Sequence, residues 1–270
     1  MYEEFFSMSH TPFIRDVPAN LFRNPQMDDA IARLSYAARC QLFAVLTSGS
    51  GCGKSTLLRN FVQSLASEKY VVVYLSDSKL TPRWFYSGIL SQLGIEARFY
   101  RGDAKRQLQK EVEMIRSIQH KKVVVILDEA HLLEKETIEE FRFMLNYRFD
   151  SMSPVALILS GQNELLDKLK LQCYAAVLQR IDIFCVLTPL DRADTEKYIA
   201  AHLEYSGVKQ PIFTDRAMDE IHTLSAGIPR IVNRICEKSL MYSAQQRKHL
   251  IDEHTIHYIH ENEMLRGNKA

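Results

Sequence analysis

"TSGSGCGKST", residues 47–56, sets three glycines among small residues and closes on Lys-Ser-Thr. It follows an apolar run, "LFAVLT" (42–47). It precedes a segment in which Leu57, Leu58, Phe61 and Leu65 share one helical face. Strand, glycine-rich turn and helix in that order are the setting in which backbone N–H groups wrap phosphate oxygens at a helix N-terminus. Gly49, Ser50, Gly51, Cys52 and Gly53 form the wrap. Lys54 is expected to reach the terminal phosphates, Ser55 to hold Mg²⁺, and Thr56 to sit in the first helical turn. The pattern G-x-x-x-x-G-K-[ST] is departed from at its first position, which is Ser48. Gly49, Gly51 and Gly53 still permit the tight turn.

A second stretch supports the first. "VVVILDEAH" (123–131) is an apolar strand that ends in two acids. A strand end beside a phosphate loop is where a metal-holding carboxylate belongs. Asp128 is assigned to the Mg²⁺ shell, and Glu129 to orienting and activating the attacking water. The ligand these two stretches describe together is ATP with Mg²⁺.

The surrounding chain alternates. "LFAVLT", "YVVVYL" (70–75), "KVVVIL" (122–127), "PVALIL" (154–159) and "DIFCVL" (182–187) are short continuous apolar runs. Such runs read as strands of a parallel sheet covered on both faces. Helical spacing lies between them, as in Ile138, Phe141, Leu145 and Phe149, with Thr137 and Glu140 as an expected capping box. From Pro189 the pattern is helical alone, with segments near 194–206, 215–225, 229–246 and 253–264. Gly207 and Gly227 fall at helix stops, and Asp252 caps the last helix. The fold class expected is α/β: a parallel-sheet nucleotide-binding domain over residues 1–188 and an all-helical lid over 189–270, with ATP at their junction.

Composition narrows the function classes. The chain has 270 residues and a net charge of +1, so any nucleic-acid surface must be a local one. No apolar run approaches the ~20 residues of a membrane span, and "MYEEFFSMSH" lacks a signal-peptide pattern. Five scattered cysteines show neither a disulfide framework nor zinc spacing. A cytoplasmic protein without a membrane partner is expected.

The two motifs together resemble the AAA+ ATPases. In "VALILSGQNEL" the resemblance makes Gln162 the residue that aligns the attacking water, with Ser160 and Asn163 as competitors. "LQRIDIF" (178–184) matches the place of an arginine finger, so Arg180 would point at the nucleotide of the next subunit. "SAGIPRIVNRIC" (225–236) looks like the lid helix, which makes Arg230 a contact to the γ-phosphate. The whole set, with "MYEEFFSMSHTPF" at the start, is similar to the ExeA-like group, in which the segment holding Pro12 and Phe13 lies against the adenine. A simple packing patch is the other reading of those two residues.

That group has a secretion branch and a transposition-associated branch related to TnsC, TniB and IstB. The chain stops after the lid, which points to the second. Resemblance to that branch implies an ATPase that oligomerises with ATP on duplex DNA, as a ring or filament. It would regulate transposition through a transposase and a target-selector protein. The alternative is a secretion or assembly ATPase that acts on protein without DNA. In the DNA-binding relatives, residues after the second strand face the bore, which nominates Lys79, Thr81 and Arg83, with Arg101 and Lys105 further on. Hydrolysis is expected to be slow and to depend on the oligomer. Trp84, the single tryptophan, reads as core. The histidine-rich helix "HLIDEHTIHYIHE" reads as solvated or partner-facing.

Overall fold

Runs of β-branched residues extend easily and pack on both faces of a pleated sheet. In the computed structural model, which describes residues 2–14, 16–77, 80–145 and 153–264, those runs are the strands. The chain opens with one helical turn, α1 (Tyr2–Phe5), and then α2 (Pro25–Cys40). Next come β1 (Phe43–Ser48), α3 (Lys54–Ser64), β2 (Tyr70–Leu75), α4 (Pro82–Gln92) and α5 (Arg101–Ser117). The α/β part continues with β3 (Lys122–Leu127), α6 (Lys135–Leu145), β4 (Val155–Gly161), α7 (Glu164–Leu169), α8 (Ala175–Leu178) and β5 (Ile183–Leu187). Helices α9 (Arg192–Tyr205), α10 (Asp215–Ser225), α11 (Pro229–Gln245) and α12 (Glu253–Asn262) complete the chain.

The five strands lie in the order β2-β3-β4-β1-β5, and every pairing is parallel. Side chains alternate between the two faces. Val123, Val125 and Leu127 join Phe43, Val45, Leu157 and Leu159 in one apolar cluster with Phe85, Ile89 and Phe141. Val124 and Ile126 join Ala44, Leu46, Ala156 and Ile158 in the other, against Leu34, Leu57 and Phe61. A strand buried on both faces carries no polar alternation, which is why these segments are apolar throughout.

The chain divides into two compact units. One comprises Gln26–Ser50 and Lys54–Leu187, and the other Met1–Pro25, Gly51–Gly53 and Thr188–Ala270. The sequence expectation puts residues 1–25 with the sheet. They group instead with the helices, because Tyr2, Phe6 and Phe13 are buried in a core with Ile199, Leu203, Phe213, Ile221 and Ile235. Asp252 caps α12 as expected, accepting from the Thr255 N–H, while Asp191 and Thr214 do the same for α9 and α10. Gly207 (φ 90°) and Gly227 (φ 69°) take the left-handed conformation past helix ends.

Two local expectations fail. Thr137 and Glu140 form no capping box, because α6 begins at Lys135 and both residues lie inside it. Thr137 Oγ1 donates to the Leu80 carbonyl, and Glu140 is buried within a polar cluster. Trp84 is not core. It is 58% exposed on α4, beside Phe99 (68%) and Tyr100 (70%), with the Arg83 guanidinium 4.2 Å from the Phe99 ring centre. Phe149 of the α6 face lies outside the described residues. Among the described residues no helix is long and apolar enough to cross a membrane.

Candidate nucleotide site

Parallel strands deliver all their C-terminal ends to one edge, and in open α/β sheets ligands bind there. Several of the residues picked out by sequence cluster at that edge. Ser48, fully buried, ends β1 and passes into the glycine loop, and Lys54 starts α3. Gly51 (φ 84°) and Gly53 (φ 96°) hold backbone conformations that side chains disfavour. Gly51 is also closely approached. A Cβ there would lie 2.9 Å from the Cβ of Arg230, and its carbonyl accepts the Arg230 backbone N–H at 3.3 Å. Lys54 is buried, and its Nζ donates to the Ser48 carbonyl (3.1 Å), Ser48 Oγ (3.2 Å) and the Gly49 carbonyl (3.3 Å). The ammonium is thus held inside the loop's own curve. Ser55 is exposed, and Cys52 and Thr56 are half-buried.

Asp128 follows β3 and is buried. Its Oδ1 accepts from Ser160 Oγ (2.8 Å) and from the Glu129 N–H (3.0 Å), and its Oδ2 from the Tyr74 hydroxyl (2.7 Å). Strand β4 lies between β1 and β3, so Ser160 reaches Asp128 from the strand next to the phosphate-loop strand. Burial pushes the Tyr74 phenol well above its ordinary range, and its bond to Asp128 adds to the rise. It therefore stays a neutral donor. An ionised carboxylate offers about four lone-pair positions, so three donors leave Asp128 room for a further partner. An exposed serine hydroxyl and a carboxylate are hard oxygen ligands, the set that suits Mg²⁺.

Glu129 sits in the left-handed region (φ 53°, ψ 31°), which costs an ordinary residue about 1–2 kcal/mol. Its carboxylate is half-exposed, and Oε2 lies 3.5 Å from His131 Nδ1. The His131 ring is largely buried and also meets Gln162, whose Nε2 is 3.2 Å from His131 Nε2. Lys168 Nζ fixes the backbone here by donating to the carbonyls of His131 and Leu133. Of the three residues considered for the second polar position, Ser160 touches Asp128, Gln162 touches His131, and Asn163 stands at the N-terminus of α7.

Arg180 is half-buried in the turn before β5, with Nη1 donating to the Ala176 carbonyl at 3.1 Å. Arg230 is exposed on the first turn of α11. Pro12 and Phe13 belong to the helical unit, and Phe13 is buried there. The Pro12 carbonyl meets His202 Nδ1 at 2.5 Å, and Phe13 stacks on the His202 ring. Burial holds the His202 imidazole below its usual pKa, so it is a neutral Nδ1–H donor. Of the residues nominated for DNA, Lys79 lies outside the described residues, and Thr81 caps α4. Arg101 and Lys105 point to buried Glu140, at 3.6 Å and 3.1 Å. Arg83 remains with the exposed rings. Reading one strand at a time misses Tyr74 and His131. The signals available for them are a phenol near the end of an apolar strand and a histidine just after the two acids.

A five-stranded parallel sheet with a lysine loop after β1 and a buried aspartate after β3 defines a nucleotide-binding domain of the P-loop AAA+ class. Residues 38–169 match the family model described as an AAA domain, and this stretch of the chain carries that domain. It is 32% identical over 259 residues to the general secretion pathway protein A of Aeromonas hydrophila. That match takes in 93% of this chain and 46% of the relative, so the chain spans about half its length. Three solved structures share the fold. Cdc6p from Pyrobaculum aerophilum superposes with a TM-score of 0.65 at 16% identity, over 92% of this chain and 68% of that one. Drosophila ORC bound to DNA gives 0.61 at 16%, over 95% and 63%. The Thermotoga maritima RuvB Holliday junction branch migration motor gives 0.56 at 13%, over 93% and 73%.

Proposed function

We propose that this chain binds ATP at the loop of residues 49–56 and hydrolyses it to drive assembly of a protein complex in a secretion-type pathway. The observation that carries the chemistry is the meeting of Ser160, Tyr74 and the Glu129 N–H on Asp128, on the same sheet edge as buried Lys54. Lys54 leaves its loop carbonyls for the terminal phosphates. Ser55 and Asp128 hold Mg²⁺, which supplies positive charge to the phosphate oxygens. Glu129 orients and activates water, Gln162 aligns it, and Arg230 contacts the γ-phosphate. Arg180 completes the site of the neighbouring subunit in an oligomer. The pathway assignment rests on the 32% identity to the secretion protein across most of this chain.

A second reading, a regulator of transposition that assembles on duplex DNA with a transposase, is favoured by one observation. Arg83 sits among exposed Trp84 and Phe99, a local cationic surface on a near-neutral chain. One experiment separates the two. Phosphate release and nucleotide binding are measured for the wild type, Lys54→Ala and Glu129→Gln, each with and without random-sequence duplex. Lys54→Ala should lose binding, and Glu129→Gln should bind ATP and retain it. Wild-type turnover indifferent to duplex supports the secretion reading. Stimulation by duplex moves the second reading ahead. A Glu129→Gln protein that hydrolyses at the wild-type rate removes Glu129 from its role.

A further inference from the structure

We propose that His131 is a positioning residue that holds the Glu129 carboxylate and the Gln162 amide in one hydrogen-bonded unit. The proposal rests on the reading that Glu129 and Gln162 act on the attacking water. Those two residues come from separate stretches, one after β3 and one after β4, and no contact between them is needed for either role. Both nevertheless converge on the same imidazole. His131 Nδ1 faces Glu129 Oε2 at 3.5 Å, and His131 Nε2 faces Gln162 Nε2 at 3.2 Å.

The ring has two ways to satisfy its neighbours, and they exclude each other. In one, Gln162 Nε2 donates to His131 Nε2, which leaves the proton on Nδ1, directed at Glu129. In the other, the Gln162 backbone N–H donates to Nδ1 at 3.4 Å, and Glu129 is let go. Without substrate the backbone N–H meets Nδ1, and the first arrangement is assigned to the reacting complex. One carboxylate oxygen is then held by the imidazole, and the other is left to face water. Such bonds are often long in a protein without substrate and tighten in the reacting complex.

The backbone that carries the ring is held in place. Lys168 clasps the His131 and Leu133 carbonyls. A Cβ at Gly161 would come within 3.1 Å of the His131 backbone nitrogen. The left-handed backbone of Glu129 turns its side chain toward this ring at a conformational cost, and strain of this kind collects where geometry serves a reaction.

The test is kinetic and binding data on four proteins: His131→Ala, His131→Gln, Gln162→Ala, and His131→Ala with Gln162→Ala. His131→Ala should keep the wild-type dissociation constant for ATP but lose about 10²-fold in kcat, the scale of a small misplacement of a reacting group. His131→Gln, whose amide can donate to Glu129 and accept from Gln162, should recover most of that loss. In the Gln162→Ala background the further loss from His131→Ala should be much smaller, since the unit is already broken. If His131→Ala does not fold, His131→Leu fills the site without a donor or acceptor and is read the same way. An unchanged kcat overturns the proposal, as do losses that add in the double variant or go unrescued by His131→Gln. Glu129→Gln, run alongside, separates the failures. If it too hydrolyses at the wild-type rate, the reading of Glu129 falls and takes the proposal with it. If it is inactive while His131→Ala is not, only the proposal falls.

Discussion

Gly227 is a residue whose side chain would have no place to go. Its φ is 69°, and a Cβ built there would lie 1.9 Å from the Leu190 carbonyl oxygen. Gly94 has a similar φ of 78° but nothing within 4 Å of such a Cβ. Gly94→Ala should therefore cost only the left-handed backbone penalty, about 1–2 kcal/mol. Gly227→Ala should cost that and the repacking of Leu190 as well, and so be clearly the less stable by urea unfolding. Equal losses would mean that the Leu190 segment yields freely. At this scale the sequence is legible where a residue's role is local. Lys54, Ser55, Asp128 and Glu129 are candidates from spacing alone, because the loop and the strand end set the chemistry proposed for them. Tyr74 and His131 meet their partners on other strands and turns. Tyr74 lies on β2 in register with Ile126, two residues before the Asp128 it bonds. Register across strands is not written in any one of them.

Among the elements, the strands are legible to within a residue or two, since burial of β1, β3 and β4 on both faces requires an unbroken apolar run, though the edge strand β5 leaves Phe184 and Val186 exposed. The helices around Glu140 are less so. Spacing offers Thr137 and Glu140 as a cap, but the pair serves packing between helices instead. Glu140 on α6 accepts from Tyr86 on α4 and from Lys105 on α5, with Arg101 near by. The sequence nominates those basic residues for DNA. The anion they meet is inside the protein, a fact that no charge count along the chain reveals. Burial by itself would raise the Glu140 pKa, but the bonds from Tyr86 and Lys105 and the charge of Arg101 outweigh it and hold the carboxyl below its ordinary 4.5. The unfolded chain binds its proton near that ordinary value. The stabilising contribution is therefore complete above about pH 4.5 and is lost as pH falls through the lower folded value. Glu140→Gln should then be less stable than the wild type near neutrality, and the gap should narrow below pH 4.5. Urea midpoints along an acid series measure this, and a gap independent of pH would dissociate the network from the acid response.

For the whole molecule, the sequence expectation groups the first 25 residues with the sheet, whereas they cluster with the helices. Their aromatic side chains belong to the helical core, a long-range choice invisible to local patterning. Subunit sharing is tested at this scale too. If Arg180 serves a neighbour, Arg180→Ala should bind ATP and fail to turn over, and mixing it with Lys54→Ala should restore partial activity at mixed interfaces. Arginines acting in trans are worth ~10³–10⁵ in rate, so even sparse mixed interfaces should be visible. No rescue at any mixing ratio would confine Arg180 to its own subunit. The exposed Trp84 gives the chain something else. It is the only tryptophan in 270 residues, and it stands exposed beside Arg83 rather than in any of the apolar cores. Excited at the red edge, where tyrosine does not absorb, the protein glows from this one corner. A soluble quencher should reach it in the isolated protein, and anything that docks on α4, whether duplex, protein or second copy, should shift its colour without any label being attached.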